Sequence, residues 1–161
     1  MDYRQPLVAL FMTTFGQWDG KSSLSHPKPA DEKELALYKL RLKLCVEETF
    51  ELFEAMLTSD AYAPFKDLLD IIDAKIDALT MDNMDIDPVG VYDSLVDQDY
   101  VNIGLANYLN LDMEAGFDEV QRSNMSKLGI DGLPVYREDG KVLKGPDYFA
   151  PNLEKVYKET R

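Results

Sequence analysis

The sequence is poor in the residues that mark several common classes of protein. Among its 161 residues it has one cysteine, Cys45, and one histidine, His26. A lone cysteine cannot form an internal disulfide, and a lone histidine excludes histidine-rich zinc or di-iron sites within one chain. No apolar run approaches the roughly 18 residues that a membrane span requires.

Basic residues are also scarce: 17 Lys and Arg stand against 30 Asp and Glu, a formal net charge of −13. Nucleic acids and anionic membrane surfaces attract basic proteins, so we expect neither as a partner. The apolar run near the N-terminus has no charged segment ahead of it and no small-residue cleavage motif. We therefore expect a cytoplasmic protein, bacterial or, if viral, in the host cytoplasm.

The composition is otherwise that of a soluble globular chain, with 45% hydrophobic and 29% charged residues. Its length suits a single domain over residues 1–161. The acidity is concentrated between residues 47 and 119, which hold 19 acidic and 2 basic residues. Such a region forms either a solvated acidic face or a group of carboxylates that meet around a cation.

Helical patterns dominate the chain. Residues 31–57 are rich in Leu, Ala, Glu and Lys without Gly or Pro, and Asp31 with Glu34 has the spacing of a capping box. Further helices are predicted over residues 4–15, 62–79, 89–109, 117–128 and 152–158. Gly129 is predicted to end the helix over residues 117–128. The acidic loop, residues 80–88, fails as a calcium-binding EF-hand because Pro88 and Ser94 occupy its glycine and glutamate positions.

The pattern changes after Gly129, where two short alternating runs flank Asp139-Gly140, a hairpin signal. The predicted fold is therefore an all-α helical bundle with a short extended or β-hairpin C-terminal appendage. We call residues 129–161 the tail.

Two groups of carboxylates are candidates for a metal site. Glu47, Glu48 and Glu51 fall within about 100° of one helix, in an apolar stripe that predicts a buried and compensated cluster, with an exposed glutamate-rich face as the open alternative. Asp93 and Asp97 share a face of a later helix, whereas Asp99 points away to solvent. An all-oxygen donor set suits Mg²⁺, with Mn²⁺ as a substitute. Cys45 is predicted to be a core residue.

Basic residues follow in the last part of the chain. Lys127 closes the run Arg-Ser-Asn-Met-Ser-Lys, and Lys144 lies in the tail close to Tyr148. Lysines beside a carboxylate-bound metal suggest phosphate recognition, although each lysine taken singly is an ordinary surface charge.

These elements together resemble the MazG-like, all-α nucleoside triphosphate pyrophosphohydrolases, which include phosphoribosyl-ATP pyrophosphohydrolases and dimeric dUTPases. The elements are Phe-Gly-Gln at 15–17, Glu-Glu-Thr-Phe-Glu at 47–51, Asp-Ser-Leu-Val-Asp at 93–97, Ser-Asn-Met-Ser-Lys at 123–127 and Gly-Lys-Val-Leu-Lys-Gly-Pro at 140–146. The resemblance covers about residues 11–153.

The resemblance implies a helical bundle that works as a homodimer or tetramer. It also implies cleavage of a nucleoside triphosphate between the α- and β-phosphates. Candidates for the substrate are dUTP, dGTP or a non-standard deoxynucleotide. The long span between Glu51 and Asp93 marks the acidic loop as an insertion relative to the family.

The matching positions imply roles for individual residues. Glu47, Glu48 and Glu51 resemble the first metal-binding element, and Asp97 the second; Asp93 matches less well because relatives often carry an acid where this chain has Ser94. Glu48 is the first candidate to orient or deprotonate the attacking water. The residues expected on the substrate are Gln17, Asn124, Lys127, Lys144 and Tyr148. Relatives often have histidine where this chain has Gln121.

The competing interpretation is a non-enzymatic acidic helical module that binds a basic protein. It explains the net charge equally well. It does not explain carboxylates within an apolar stripe or the conjunction of the Ser-Asn-Met-Ser-Lys and lysine-glycine elements.

Overall fold

The computed structural model describes residues 2–20, 28–137 and 142–160. In these ranges the chain forms six α-helices and no sheet, which confirms the all-α prediction. The helices are α1 Arg4–Thr14, α2 Glu32–Met56, α3 Ser59–Asp77, α4 Pro88–Tyr108, α5 Met113–Met125 and α6 Leu153–Glu159. The acidic loop contains a short 3₁₀ helix, Met81–Asn83.

The chain divides into two compact units. The first unit comprises Met1–Lys21 and Tyr92–Arg161, and the second comprises Ser22–Val91. The first unit therefore holds α1, most of α4, α5, α6 and the tail, while the second holds α2 and α3.

The second unit consists mainly of two antiparallel helices, α2 and α3, joined by the two residues Leu57 and Thr58. Asp31 caps α2 as predicted, its carboxylate accepting the Glu34 N–H at 2.8 Å, and Glu34 accepts the Ala30 N–H at 2.6 Å. An aromatic row joins the two helices, with ring centroids 5.8 Å apart for Phe50–Phe53 and 5.3 Å apart for Phe53–Phe65. The Phe53–Phe65 pair, which links the two helices, is edge-to-face, and contacts of this kind add to the stabilisation from buried apolar area.

Two lysines of α2 hold the C-terminal end of α3. Lys43 Nζ pairs with Asp77 Oδ2 at 2.8 Å, and Lys39 Nζ donates to the Asp77 backbone carbonyl at 2.9 Å. The last carbonyls of a helix lack intrahelical donors and carry partial negative charge, so ammonium groups stabilise them. The two lysines thus offset part of the acidity of this region.

In the first unit, α5 packs against α1 and α6. Tyr3 meets Phe117 edge-on with ring centroids 6.0 Å apart, and Gln121 Nε2 donates to the Leu7 carbonyl at 3.1 Å. Phe15, at the end of α1, is fully buried. Gln121, which stands where relatives often have histidine, therefore fastens α5 to α1.

Helix α5 departs from the prediction at both ends. It begins at Met113 because Asp112 is its N-cap and accepts the Ala115 N–H at 3.0 Å. It ends at Met125, so the prediction that Gly129 terminates it was wrong. Gly129 instead donates its N–H to the Leu133 carbonyl at 2.8 Å and belongs to the following turn.

Helix α3 also starts earlier than predicted, at Ser59, which places Pro64 in its second turn. In the tail, Tyr136 and Val142 form an antiparallel bridge and the Leu143 N–H donates to the Val135 carbonyl at 2.7 Å. This pairing agrees with the predicted hairpin appendage, although its Asp139-Gly140 turn lies outside the described residues.

The aromatic row should dominate the stability of the second unit. Phe50 is 6% exposed, so Phe50→Ala is expected to lower the free energy of unfolding by about 3–5 kcal/mol through lost burial and a residual cavity. Met56→Ala, on the same helix but 57% exposed, should cost less than about 1 kcal/mol. Urea denaturation followed by circular dichroism measures both. Equal losses in the two variants would contradict the assignment of Phe50 to the core.

Candidate functional site

The first group of candidate carboxylates lies on α2, in the second unit. Glu47 is half-buried, and Glu48 and Glu51 are exposed. The prediction that these glutamates lie in a buried stripe was wrong, because α2 buries only Leu35 and Phe50 along its length. Cys45, predicted to be a core residue, is exposed too.

Tyr62 of α3 lies beside this group. Its pKa is raised by burial and, after that, by the negative charges of Glu54 and Glu51. The ionised phenolate would meet carboxylates, so the neutral form is favoured. The glutamates of α2 therefore face α3 on one side and solvent on the other.

The second group, Asp93 and Asp97, lies on α4 in the first unit, and both side chains are exposed. Their helical spacing places them on one face with Tyr100 and Gly104. No atom lies within 4 Å of the Cβ position at Gly104, so this face is open to close approach. Asp99 points away, as predicted, and its carboxylate pairs with Arg4 at 3.1 Å.

The chemistry of these donors fits a hard divalent cation, because all five are carboxylates and Mg²⁺ prefers oxygen ligands. In the conformation described over residues 2–20, 28–137 and 142–160, no three His, Cys, Asp or Glu side chains are grouped so that they could hold a metal ion. The candidate residues therefore fit Mg²⁺ by the chemistry of their oxygen donors and by sharing helical faces, and the described conformation does not bring them together. The five residues are Glu47, Glu48, Glu51, Asp93 and Asp97.

The C-terminal end of α5 brings together the candidate substrate residues Asn124 and Lys127. Lys127 Nζ donates to Asn124 Oδ1 at 2.8 Å and lies 5.8 Å from the centroid of the Phe11 ring. Both side chains are half-buried. The amide oxygen and the aromatic face hold the ammonium group in a defined position at the end of the helix.

The Phe-Gly-Gln element, residues 15–17, is linked to Lys127 by Phe11 of α1, and Tyr136 of the tail binds the same element. Phe11 stacks on Phe15 with centroids 4.4 Å apart, and the Phe15 carbonyl accepts the Tyr136 hydroxyl at 2.8 Å. Gly16 has a φ of 57°, and a Cβ there would lie 2.9 Å from the Tyr136 hydroxyl. Gln17 follows, half-buried, with its N–H bonded to the Met12 carbonyl at 2.8 Å.

In the tail, the ammonium group of Lys144 lies 4.5 Å from the centroid of the Tyr148 ring. Lys144 is exposed and Tyr148 is half-buried. The Gly145 N–H donates to the Lys127 carbonyl at 3.1 Å. The structure therefore joins the chain segments that carry the two candidate lysines.

Sequence reasoning missed a third set of functional-looking contacts, between α5 and the tail. Glu119 forms a two-bond ion pair with Arg122, at 2.7 and 2.8 Å, and accepts the Asn152 N–H at 2.6 Å. Ser123 is buried and donates to the Phe149 carbonyl at 2.8 Å. The three-residue spacing of Glu119 and Arg122 on a helix indicates an ion pair in the sequence. No sequence pattern indicates that Asn152 and Phe149 of the tail contact them.

Two surface cavities border the contact between α5 and α6. One has a volume of about 640 Å³ and is lined by charged residues that include Glu119, Arg122 and Lys155. The other, of about 440 Å³, is mainly apolar and includes Phe117 and Val156. Neither is lined by a residue predicted to bind metal or substrate.

Comparisons with known proteins agree with this arrangement. Residues 11–124 match the family model described as phosphoribosyl-ATP pyrophosphohydrolase, and the chain belongs to that family. A crystal structure of a "putative NTP pyrophosphohydrolase" from Exiguobacterium sp. 255-15 is similar with a TM-score of 0.65 and 25% identity, covering 99% of this chain and 98% of that chain. The search of curated proteins found no match.

Family and structural neighbour together support a nucleotide pyrophosphohydrolase activity, the hydrolysis of a phosphoanhydride bond. The resemblance to the MazG-like superfamily is confirmed. Among the described residues, no helix has both the length and the apolar character required to cross a membrane.

The Glu119 ion pair should make the attachment of the tail depend on pH. The Arg122 guanidinium, followed by the Asn152 N–H, lowers the pKa of Glu119 from its ordinary 4.5 to about 2. A carboxylate with a depressed pKa stabilises the fold above its unfolded pKa, and this contribution is lost as the pH falls from about 4.5 through about 2.

We expect the difference in free energy of unfolding between the wild type and Glu119→Gln to be constant above about pH 5 and to shrink toward pH 3. Urea denaturation at several pH values measures it. Glu114→Gln, the same change on the same helix, controls for loss of charge. An undiminished difference at pH 3 would contradict the ion pair.

Proposed function

We propose that this protein is a Mg²⁺-dependent nucleoside triphosphate pyrophosphohydrolase of the cytoplasm, which produces a nucleoside monophosphate and pyrophosphate. The observation that carries the proposal is the family match over residues 11–124, which spans the carboxylates of α2 and α4 and reaches Asn124 on α5. The candidate substrates are dUTP, dGTP and non-standard deoxynucleotides. Phosphoribosyl-ATP is a further candidate, because the matching family is described as phosphoribosyl-ATP pyrophosphohydrolase.

The carboxylates of α2 and α4 are the proposed metal ligands. Glu47, Glu51 and Asp97 would hold Mg²⁺, with Glu48 and Asp93 in or next to its coordination sphere. A bound Mg²⁺ supplies charge neutralisation at the phosphates and lowers the pKa of water in its shell. All five candidate ligands are hard carboxylate oxygens, and donors of this kind prefer Mg²⁺ to softer metal ions.

The protein's own groups perform the remaining steps. Glu48 accepts a proton on a carboxylate oxygen as the water oxygen bonds to the α-phosphorus and the bond to the bridging oxygen breaks. The ammonium groups of Lys127 and Lys144 bind phosphate oxygens and stabilise the leaving pyrophosphate. Asn124 holds Lys127 through the 2.8 Å hydrogen bond, while Gln17 and Tyr148 contact the nucleotide.

Product analysis tests the activity. Purified protein is incubated with Mg²⁺ and a panel of ribo- and deoxynucleoside triphosphates and phosphoribosyl-ATP, and the products are resolved by chromatography. The proposal expects a monophosphate product and pyrophosphate. A nucleoside diphosphate with orthophosphate as first products would contradict the proposed bond, and no turnover of any nucleotide would favour the acidic binding module.

Matched substitutions test the residue roles. Glu48→Gln and Asp97→Asn should each lower kcat by at least about 100-fold, because each removes a charge from the reacting centre and keeps the shape of the side chain. Glu54→Gln and Asp99→Asn make the same changes at neighbouring positions of the same helices and should retain activity within about threefold. Circular dichroism checks that all four variants fold. Full activity in Asp97→Asn would overturn the assignment.

We further propose that the protein is a homodimer, with a tetramer formed from two dimers as the alternative, and that α4 lies in the dimer interface. Eight large apolar residues of α4 are more than a third exposed: Val89, Val91, Tyr92, Leu95, Val96, Tyr100, Val101 and Tyr108. A helix that exposes this much apolar surface normally packs against another element. Over the described residues, only six apolar side chains of the chain are buried.

A second copy of this chain is the proposed occupant, because the exposed area is of the size that dimers bury. A fully exposed aromatic residue presents roughly 150–250 Å². The eight residues of α4 thus supply much of the about 800 Å² per partner in a stable interface.

Charged substitutions on α4 test the interface. Val101→Glu and Tyr108→Glu should convert the dimer into a monomer, because each would bury an uncompensated carboxylate. Light scattering coupled to size-exclusion chromatography measures the mass. Ile130→Glu, at a residue 88% exposed outside the helices, should leave the dimer intact. A monomeric wild type, or dimers in both α4 variants, would contradict the proposal.

A further inference from the structure

Three side chains of α5 and the side chain of its C-cap residue contact the tail, and we call them the tail clamp: Glu119, Arg122, Ser123 and Ser126. Arg122 contacts the Phe149 ring, and the other three bind backbone groups of the tail. Their spacing of three, four and seven residues is that of one helical face. The face is interleaved with the candidate substrate residues Asn124 and Lys127. The Arg-Ser-Asn-Met-Ser-Lys element therefore serves two surfaces.

The two serines bind both backbone groups of Phe149. Ser123 Oγ donates to the Phe149 carbonyl at 2.8 Å, and Ser126 Oγ accepts the Phe149 N–H at 3.2 Å. Ser123 is 2% exposed and is the buried polar residue of the described chain. A buried hydroxyl is costly unless it is bonded, so this contact holds the tail at a specific residue.

Two charged side chains add contacts with the tail, Arg122 at Phe149 and Glu119 at Asn152. The Glu119 carboxylate accepts the Asn152 N–H at 2.6 Å, and its side chain is only 13% exposed. The Arg122 guanidinium lies 4.1 Å from the centroid of the Phe149 ring. The Glu119 bond is charge-assisted and largely shielded from water, which strengthens it. The Arg122 side chain is 55% exposed, so its cation–π contact with Phe149 adds less.

The other end of the held segment is fixed by close backbone contact. The Gly145 N–H donates to the Lys127 carbonyl at 3.1 Å, and the Tyr148 N–H donates to the Gly145 carbonyl at 3.1 Å. A Cβ at residue 145 would lie 1.9 Å from the Leu128 carbonyl oxygen. The tail can follow this path only with glycine at that position.

Lys144 and Tyr148 therefore lie on a segment that is fixed at Gly145 and at Phe149. We propose that the tail clamp is a positioning device, which holds Lys144 and Tyr148 where they bind the phosphates of the substrate. Ser123 and Glu119 are its positioning residues and do not themselves touch the substrate. The inference rests on the proposed function, because it concerns how that site acquires its tail residues.

Removing the clamp should release the segment and weaken phosphate binding. Ser123→Ala removes the buried hydrogen bond, and Gly145→Ala displaces the segment without removing any polar group. We expect both to raise hydrogen exchange of the Tyr148 and Phe149 amides by at least about tenfold. They should also raise KM for the nucleotide by at least about tenfold, with kcat within about threefold, because ordering of the segment contributes binding.

Two controls separate positioning from general damage. Gly116→Ala introduces the same methyl group inside α5, where no atom lies within 4 Å of the Cβ position, and should change neither quantity. Glu119→Gln keeps an acceptor for the Asn152 N–H and should lie closer to the wild type than Glu119→Ala does. The far-ultraviolet circular dichroism spectrum of the whole protein, which the helices dominate, should be the same in all variants.

A mutant cycle tests whether the clamp acts through the two positioned side chains. In a background that carries both Lys144→Ala and Tyr148→Ala, Ser123→Ala should raise KM by less than about twofold further, because both positioned groups are already absent. Full additivity would show that Ser123 acts by another route and would overturn the proposal. Faster amide exchange with unchanged KM would overturn it as well, since the clamp would then be structural only.

Binding of inorganic pyrophosphate with Mg²⁺, measured by calorimetry, makes the test independent of turnover. If the wild type hydrolyses no nucleotide but Ser123→Ala and Gly145→Ala weaken pyrophosphate binding tenfold, the proposed function fails and the clamp stands. If the variants bind pyrophosphate as the wild type does, or if the wild type does not bind it, the clamp proposal is wrong.

Discussion

The packing of α5 is the constraint on which the first unit depends. One side of this 13-residue helix contacts α1 through Phe117 and Gln121, and another holds the tail through Glu119 and Ser123. Lys127 follows two residues after its last residue, Met125. A rigid helix transmits its register to everything attached to it. A shift of α5 by one residue would therefore misplace α1, the tail and the candidate phosphate-binding lysine together.

Charge is the second constraint, because the carboxylates between residues 47 and 119 exceed the basic residues there by 17. Basic residues from outside that range offset part of the excess. Lys43 pairs with Asp77, and Arg4 lies between Asp2 and Asp99, which raises the pKa of its guanidinium. Such exposed pairs contribute little stability each. A divalent cation bound by the remaining carboxylates would offset the repulsion more strongly, in agreement with the proposed chemistry.

Much of the helical architecture was predictable because helices are specified locally. The periodicity of apolar residues and the Asp31 cap define α2 in any context. Helix α5 begins earlier than predicted because Asp112 caps it ahead of Met113, which is also a local signal. Gly129 was misassigned because it belongs to a local turn closed by Leu133, four residues beyond the last residue of α5. Cys45 was misassigned because only Leu35 and Phe50 are buried along α2, which no local pattern decides.

The sequence by itself determined the number and order of the helices, the family, and the residue types available for chemistry, because periodicity, capping and side-chain functional groups are properties of short segments. Only the tertiary structure decided which segments meet. Tyr136 binds the Phe15 carbonyl across 121 positions, Gln121 binds the Leu7 carbonyl across 114, and Ser123 binds the Phe149 carbonyl across 26. In each case the acceptor is a backbone carbonyl, which every residue has, so no sequence pattern distinguishes the partner before the chain folds.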